Sequence, residues 1–226
     1  VRLLAFDTAT AATVVALDAG DGRFVEARHE PPPGERPGHG QQLLGLIDEV
    51  TGRAGVATSD VDRIAVGVGP GSFTGLRIGI ATARGLAQAA GAELVGVSSL
   101  RALALGAGEG TVLAAIDARR GELFVGAWAA GELLLAPAAM SPAAVASWVK
   151  QVAPGVLTVG DGALRFREQL EPAGAAIPPD ADPLHGLAGR PLCRLGAGMP
   201  AAERDAVLPD YLRRPDARPR PDRQSP

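Results

Sequence analysis

The sequence holds a single cysteine, Cys193. That excludes an internal disulfide framework, a thiolate zinc cluster and a CxxC redox pair, and it agrees with a reducing compartment. Three histidines, at positions 29, 39 and 185, are too scattered for HExxH or HxxxH, so no metal site can rest on local histidine spacing. Lys150 is the sole lysine and stands between Val149 and Gln151. A GxxxxGK[ST] phosphate loop is therefore missing, and with it the ordinary P-loop hydrolases. Aromatic residues make up only 4% of the chain, so packing must rely on Ala, Val and Leu and on the close approaches that 30 glycines permit. The longest uncharged run, between Glu132 and Lys150, is broken by Pro137, Ser141, Pro142 and Ser147 and cannot span a bilayer. Asp7 arrives too early for the apolar stretch of a signal peptide, and the expected location is the cytoplasm.

What is present reads as a folded chain with a substantial core: 226 residues, 46% hydrophobic and 21% charged, enough for one large domain or two compact ones. A formal charge of −3 gives no global attraction to nucleic acid. The balance changes after Leu212, where Arg213, Arg214, Arg218, Arg220 and Arg223 outnumber Asp216 and Asp222 among four prolines. Residues 215–226 read as a disordered basic tail, either an arm that touches RNA or a solvated terminus.

Leu3 to Thr8, Thr13 to Leu17 and Arg23 to Arg28 read as three antiparallel strands, the second and third joined by the hairpin turn 18–22. Leu43, Leu46, Ile47 and Val50 fall at helical spacing, with Gly52 and Gly55 ending the helix. A strand over 64–68, a glycine-rich turn, a helix over 75–90 and a strand over 94–97 follow. From Thr111 the pattern recurs: Val112 to Asp117 resembles Leu3 to Asp7, Glu122 to Trp128 and Glu132 to Leu135 supply two strands, Pro142 to Val152 a helix, and Val156 to Gly160 a strand. Two tandem βββαβ units give an α/β fold of paired ribonuclease H-like subdomains, the actin, hexokinase and Hsp70 (ASKHA) class. The expected division is an N-terminal lobe over 1–104 carrying the partner interface, a smaller lobe over 105–184, and a segment over 185–214 that returns to pack on them.

In that class a phosphate loop follows the first strand of each lobe, and nucleotide sits between them. The first loop reads about Asp-x-Gly-Thr, the acid holding hydrated magnesium and the glycine letting backbone N–H groups approach phosphate. Here it is Asp7-Thr8-Ala9-Thr10, with alanine in the glycine position. The second loop is Asp117-Ala118-Arg119-Arg120-Gly121, with two arginines where bare backbone is needed. Either Asp7 and Asp117 serve an ATP-cleaving site or they merely end strands and cap turns; the altered loops favour the second.

The densest motif is Gly67-Val68-Gly69-Pro70-Gly71-Ser72-Phe73-Thr74-Gly75-Leu76-Arg77-Ile78-Gly79. It fits neither a Rossmann GxGxxG, which would need glycine at Ser72, nor a GxSxG elbow, which would need glycine at positions 70 and 74. Ser72 and Thr74 stand at a helix N-terminus, able to cap it or to accept an anion. The helix that follows carries Leu76, Ile80, Ala83, Ala87 and Ala90 on one stripe and Ile78, Thr82, Gly85 and Ala89 on another. The second stripe marks close packing against another helix or chain, or else the alanine-rich composition.

These segments, with Leu3 to Thr10, Asp117 to Phe124 and Leu208-Pro209-Asp210-Tyr211-Leu212-Arg213, resemble the bacterial TsaB family over about residues 2–214. His39-Gly40-Gln41-Gln42-Leu43-Leu44 is similar to its His-Ser-x-x-Leu-Leu helix start, with Gly40 departing from serine. The resemblance implies a noncatalytic subunit that binds TsaD, works with the ATPase TsaE, and helps place a threonylcarbamoyl group on the adenosine next to the tRNA anticodon. It implies only indirect contact with tRNA, a homodimer in isolation, no metal or cofactor of its own, and ATP or ADP at most at the TsaD interface. The partner surface is expected at His39, Leu43, Ile78, Thr82, Gly85 and Ala89. Asp7, Thr8, Thr10, Gly69, Gly71, Ser72, Thr74, Gly75, Asp117, Arg119 and Arg120 are expected to form vestigial loops. The alternative is a self-sufficient ATPase or phosphotransferase of the same fold.

Overall fold

The computed structural model describes residues 1–32 and 34–212. The tail expected over 215–226 lies outside them.

The first sheet has five strands, β1 (Leu3–Asp7), β2 (Thr13–Asp18), β3 (Phe24–His29), β4 (Arg63–Gly69) and β5 (Glu93–Ser98), in the order β3-β2-β1-β4-β5. The first three pair antiparallel, Phe6 opposite Val15 and Val15 opposite Ala27; β4 and β5 add in parallel. Every residue of β1 is buried because both faces are covered, which is why it reads as an unbroken apolar run and not as an alternation. Leu4 and Phe6 meet Leu43, Ile47 and Val50 of α1 (His39–Ala54) and Ile80, Ala83 and Ala87 of α2 (Phe73–Ala90). Leu3 and Ala5 point the other way, toward Leu100 and Leu103 of α3 (Ser99–Gly106) and, further along the chain, Leu192.

The second sheet, in the order β8-β7-β6-β9, comprises β6 (Thr111–Asp117), β7 (Leu123–Ala129), β8 (Glu132–Met140) and β9 (Leu157–Val159). Val112, Ala114 and Ile116 of β6 join the same cluster as Leu3 and Ala5, so one continuous core links the two sheets. On the far face Leu113, Ala115 and Val125 pack with Val145 and Val149 of α4 (Pro142–Val152). Two short helices, α5 (Asp161–Arg165) and α6 (Arg167–Leu170), follow. The last helix, α7 (Gly189–Gly198), returns to the first sheet: a Cβ at Gly196 would lie 2.5 Å from the Ala65 Cβ, so only glycine allows that approach.

Several expected boundaries move. Gly52 lies inside α1, and Gly55, at φ +64, makes the left-handed stop. Between the strand over 94–97 and Thr111, where the sequence pattern marks no element, the chain forms α3. Strand β8 continues past Leu135 and through Pro137 to Met140, which an edge strand tolerates because its outer N–H groups have no ladder partner to lose. No helix among the described residues is long and apolar enough to cross a membrane.

Candidate functional site

The cleft between the lobes is a cavity of about 720 Å³ lined by the first loop at Ala9–Ala11, the turn Gly71–Thr74, the second loop Asp117–Arg120, Asp161 and the C-terminal Asp210–Leu212. Its floor is closed by packing. Asp7, at the end of β1, is fully buried. Its Oδ1 accepts the Ala9 N–H at 2.6 Å and its Oδ2 accepts the Ser99 hydroxyl at 2.6 Å. Burial pushes the carboxyl up to about 6 against the opposing pull of the hydrogen bonds from Ser99 and Ala9. Gly67 on β4 passes so close that a Cβ there would lie 1.9 Å from Asp7 Oδ2.

The glycine-rich turn lies directly on the first loop. The Thr8 hydroxyl donates to the Gly75 carbonyl at 2.8 Å, and the Ser72 N–H donates to the Ala9 carbonyl at 2.7 Å. A Cβ at Gly71 would come within 2.3 Å of the Ala9 carbonyl oxygen, one at Gly75 within 2.0 Å of the Thr8 carbonyl oxygen, and one at Gly79 within 2.4 Å of Thr8 Oγ1. These glycines therefore serve loop-to-helix packing. Ser72 caps α2, its Oγ accepting the Gly75 N–H at 3.3 Å. Gly69, at φ +105, has a conformation that favours glycine and turns the chain at the end of β4. Thr10 and Thr74 line the open part of the cleft.

In the second loop Asp117 accepts the Arg119 N–H at 2.9 Å through Oδ1 and holds Arg165 at 2.9 Å and Arg119 at 3.2 Å through Oδ2. Its own N–H donates to Asp161 Oδ1 at 2.9 Å; burial raises the Asp161 pKa, and the neighbouring Asp117 charge adds to that rise. Hydrated magnesium and a triphosphate would need open carboxylate oxygens and free N–H groups. Ser99 of α3 and the Ala9 N–H occupy the two Asp7 oxygens, and the Thr8 hydroxyl is committed to Gly75 of α2, so the first loop does not fit that group.

The expected partner residues divide. His39 and Leu43 are buried and offer no surface, contrary to expectation. His39 Nδ1 is 2.8 Å from the Thr13 hydroxyl, and burial lowers its pKa, so it helps seat the start of α1. Ile78 and Thr82 are half-buried, Gly85 and Ala89 exposed. Ile78 lies over α1, its Cδ1 3.8 Å from where a Cβ at Gly40 would stand, and Leu44 beside it is 60% exposed. Sequence reasoning did not single out Ser99, Asp161, Phe73 or Tyr211. Phe73 and Tyr211 stack with centroids 5.4 Å apart, and the Arg77 guanidinium sits 3.8 Å from the Phe73 ring centre. A tyrosine in Leu208–Leu212 was the available signal, but nothing local points it at Phe73.

Residues 32–152 match the model of the TsaD family, tRNA N6-adenosine threonylcarbamoyltransferase. The chain is 40% identical over 173 residues to the tRNA threonylcarbamoyladenosine biosynthesis protein TsaB of Escherichia coli, covering 71% of each. It is similar in structure to YeaZ from Pseudomonas aeruginosa, with a TM-score of 0.78 at 35% identity over 93% of this chain and 99% of that one. A ROK hexokinase from Thermus thermophilus shares the fold alone, with a TM-score of 0.51 at 14% identity over 87% and 99%. On this ASKHA-type frame, with 71% of a TsaB sequence matched at 40% identity, the chain belongs to the TsaB family of tRNA threonylcarbamoyladenosine biosynthesis proteins.

Proposed function

We propose that this chain is a noncatalytic subunit that binds TsaD, and that it acts with TsaE in the cytoplasm to support threonylcarbamoylation of the adenosine next to the tRNA anticodon. The observation that carries this reading is the state of Asp7: the acid that would hold magnesium in a working ASKHA site is sealed under Gly67 with both oxygens occupied. Any ATP or ADP in the assembly then belongs at the interface with TsaD. The names of the relatives and the TsaD-family match over 32–152 support the pathway and the partner.

The face shared by α1 and α2 is the docking surface in this reading. Leu44 and the small positions Gly40, Ala81, Gly85 and Ala89 are exposed there, flanked by half-buried Ile78 and Thr82. Small side chains let a partner helix approach to about 8 Å between axes. The same face can pair two copies of this chain when TsaD is absent. Thr82→Arg places an unpaired charge in that contact, at a cost on the order of 3 kcal/mol, or about a hundredfold in affinity. Calorimetric titration with TsaD should show that loss at an unchanged melting temperature; unaltered affinity would move the interface to another face.

A further inference from the structure

The floor of the cleft is closed, but its mouth is open and differently equipped. Phe73, at the start of α2, and Tyr211, on the returning C-terminal segment, stack on each other while remaining 46% and 39% exposed. Arg77 lies over Phe73 and its Nε donates to the Tyr211 hydroxyl at 3.3 Å, so a cation and two rings form one platform. Tyr211 is held there because the Asp210 N–H donates to the Val68 carbonyl at 2.7 Å and Val207 is buried in the cluster that holds Leu4 and Phe6. Across the mouth stand Arg119 and Arg120, both with left-handed backbones at φ +62 and +53, a conformation that non-glycine residues adopt only under strain. Of the acids nearby, Asp117 is 6% exposed and ion-paired with Arg119 and Arg165, and Asp161 accepts the Asp117 N–H; Glu122, whose N–H donates to the Arg119 carbonyl in the same turn, and Asp210, exposed at the rim, are further acids there.

We infer that this mouth is a binding surface for single-stranded RNA, with a base extending the Phe73–Tyr211 stack from the Tyr211 side and the backbone phosphates drawn to Arg77, Arg119 and Arg120. Aromatic rings flanked by arginines take any base by its face, and the phosphates supply a salt-dependent attraction. Two observations favour a strand over a free nucleotide. The polyphosphate end of a nucleotide has no seat, because the first loop is filled by its own packing. The chain also continues from Leu212, which lines the cleft, into a sequence with five further arginines at 213, 214, 218, 220 and 223. The inference goes beyond the partner role and is tested on this chain alone, so its failure would leave TsaD binding untouched.

The test is fluorescence anisotropy of a labelled twelve-nucleotide RNA of mixed sequence with the full-length chain. Tyr211→Ala and Phe73→Leu should each weaken binding about tenfold at an unchanged melting temperature. Arg120→Gln should flatten the salt dependence. A full-length variant with its five tail arginines changed to glutamine should bind more weakly but keep the tenfold response to Tyr211→Ala. No binding by the wild-type chain, ring variants within twofold of wild type, or loss of all binding with the tail arginines would overturn the inference. So would displacement of the RNA by AMP at equal nucleotide concentration, which would make a free nucleotide the ligand.

Discussion

Asp7 shows how burial can commit a carboxylate to structure. Its carboxyl is buried against Gly67 and committed to Ala9 and Ser99, so its pKa rises from 3.8 to about 6. The folded state then holds a proton that the unfolded chain releases between about pH 4 and pH 6. Stability from this group is fully present below pH 3.8 and is lost as pH rises through 6, by on the order of 3 kcal/mol. Asp7→Asn removes that titration while keeping both hydrogen bonds, its oxygen accepting from Ala9 and its amide donating to Ser99. Urea midpoints of the variant and the wild type should therefore converge near pH 4 and diverge by pH 7 in favour of the variant. A variant less stable at pH 7 would contradict the burial account. The loop sequence Asp7-Thr8-Ala9-Thr10 already announced a damaged phosphate site, because alanine stands where glycine is needed. The seal itself was not legible, since Ser99 joins it from 92 residues away.

At the scale of the element, α2 separates two uses of small residues that look alike in sequence. Gly75 and Gly79 face the first loop, where an added methyl would meet Thr8 at 2.0 and 2.4 Å, whereas Gly85 has nothing within 4 Å. Gly79→Ala should cost about 1–3 kcal/mol through overpacking. Gly85→Ala should instead stabilise the isolated chain by about 0.5–1 kcal/mol, as alanine does in an exposed helix interior. Chemical denaturation of the two variants tests this directly: opposite signs are expected, and equal losses would contradict the assigned faces. The two stripes of α2 were legible because helical periodicity assigns residues to faces. Which glycines touch backbone was not, because that depends on where β1 delivers its loop. The spacing of Leu43 with Leu46, Ile47 and Val50 already marks the inward stripe of α1, and His39, one turn earlier, belongs to it, whereas Leu44 lies off that stripe and is exposed.

For the whole molecule, the repeated strand order and the resemblance made the two-sheet fold legible from sequence. The continuous core joining Leu3 and Ala5 to Val112 and Ile116 was hidden, because both β1 and β6 are uniformly apolar and such runs do not reveal what covers each face. That shared core ties the lobes together around a cleft whose floor is taken up by packing, and in the proposed function the outer helices α1 and α2 carry the partner. The central claim is that this chain contributes binding and no reacting group. The measurement that tests it most directly is the initial rate of tRNA threonylcarbamoylation by TsaD and TsaE with Asp7→Asn in place of the wild-type chain. The account predicts a rate within a few-fold of wild type, because a sealed carboxyl stabilises no transition state. A thousandfold fall with folding and TsaD binding intact would correspond to about 4 kcal/mol of lost transition-state stabilisation and would contradict it.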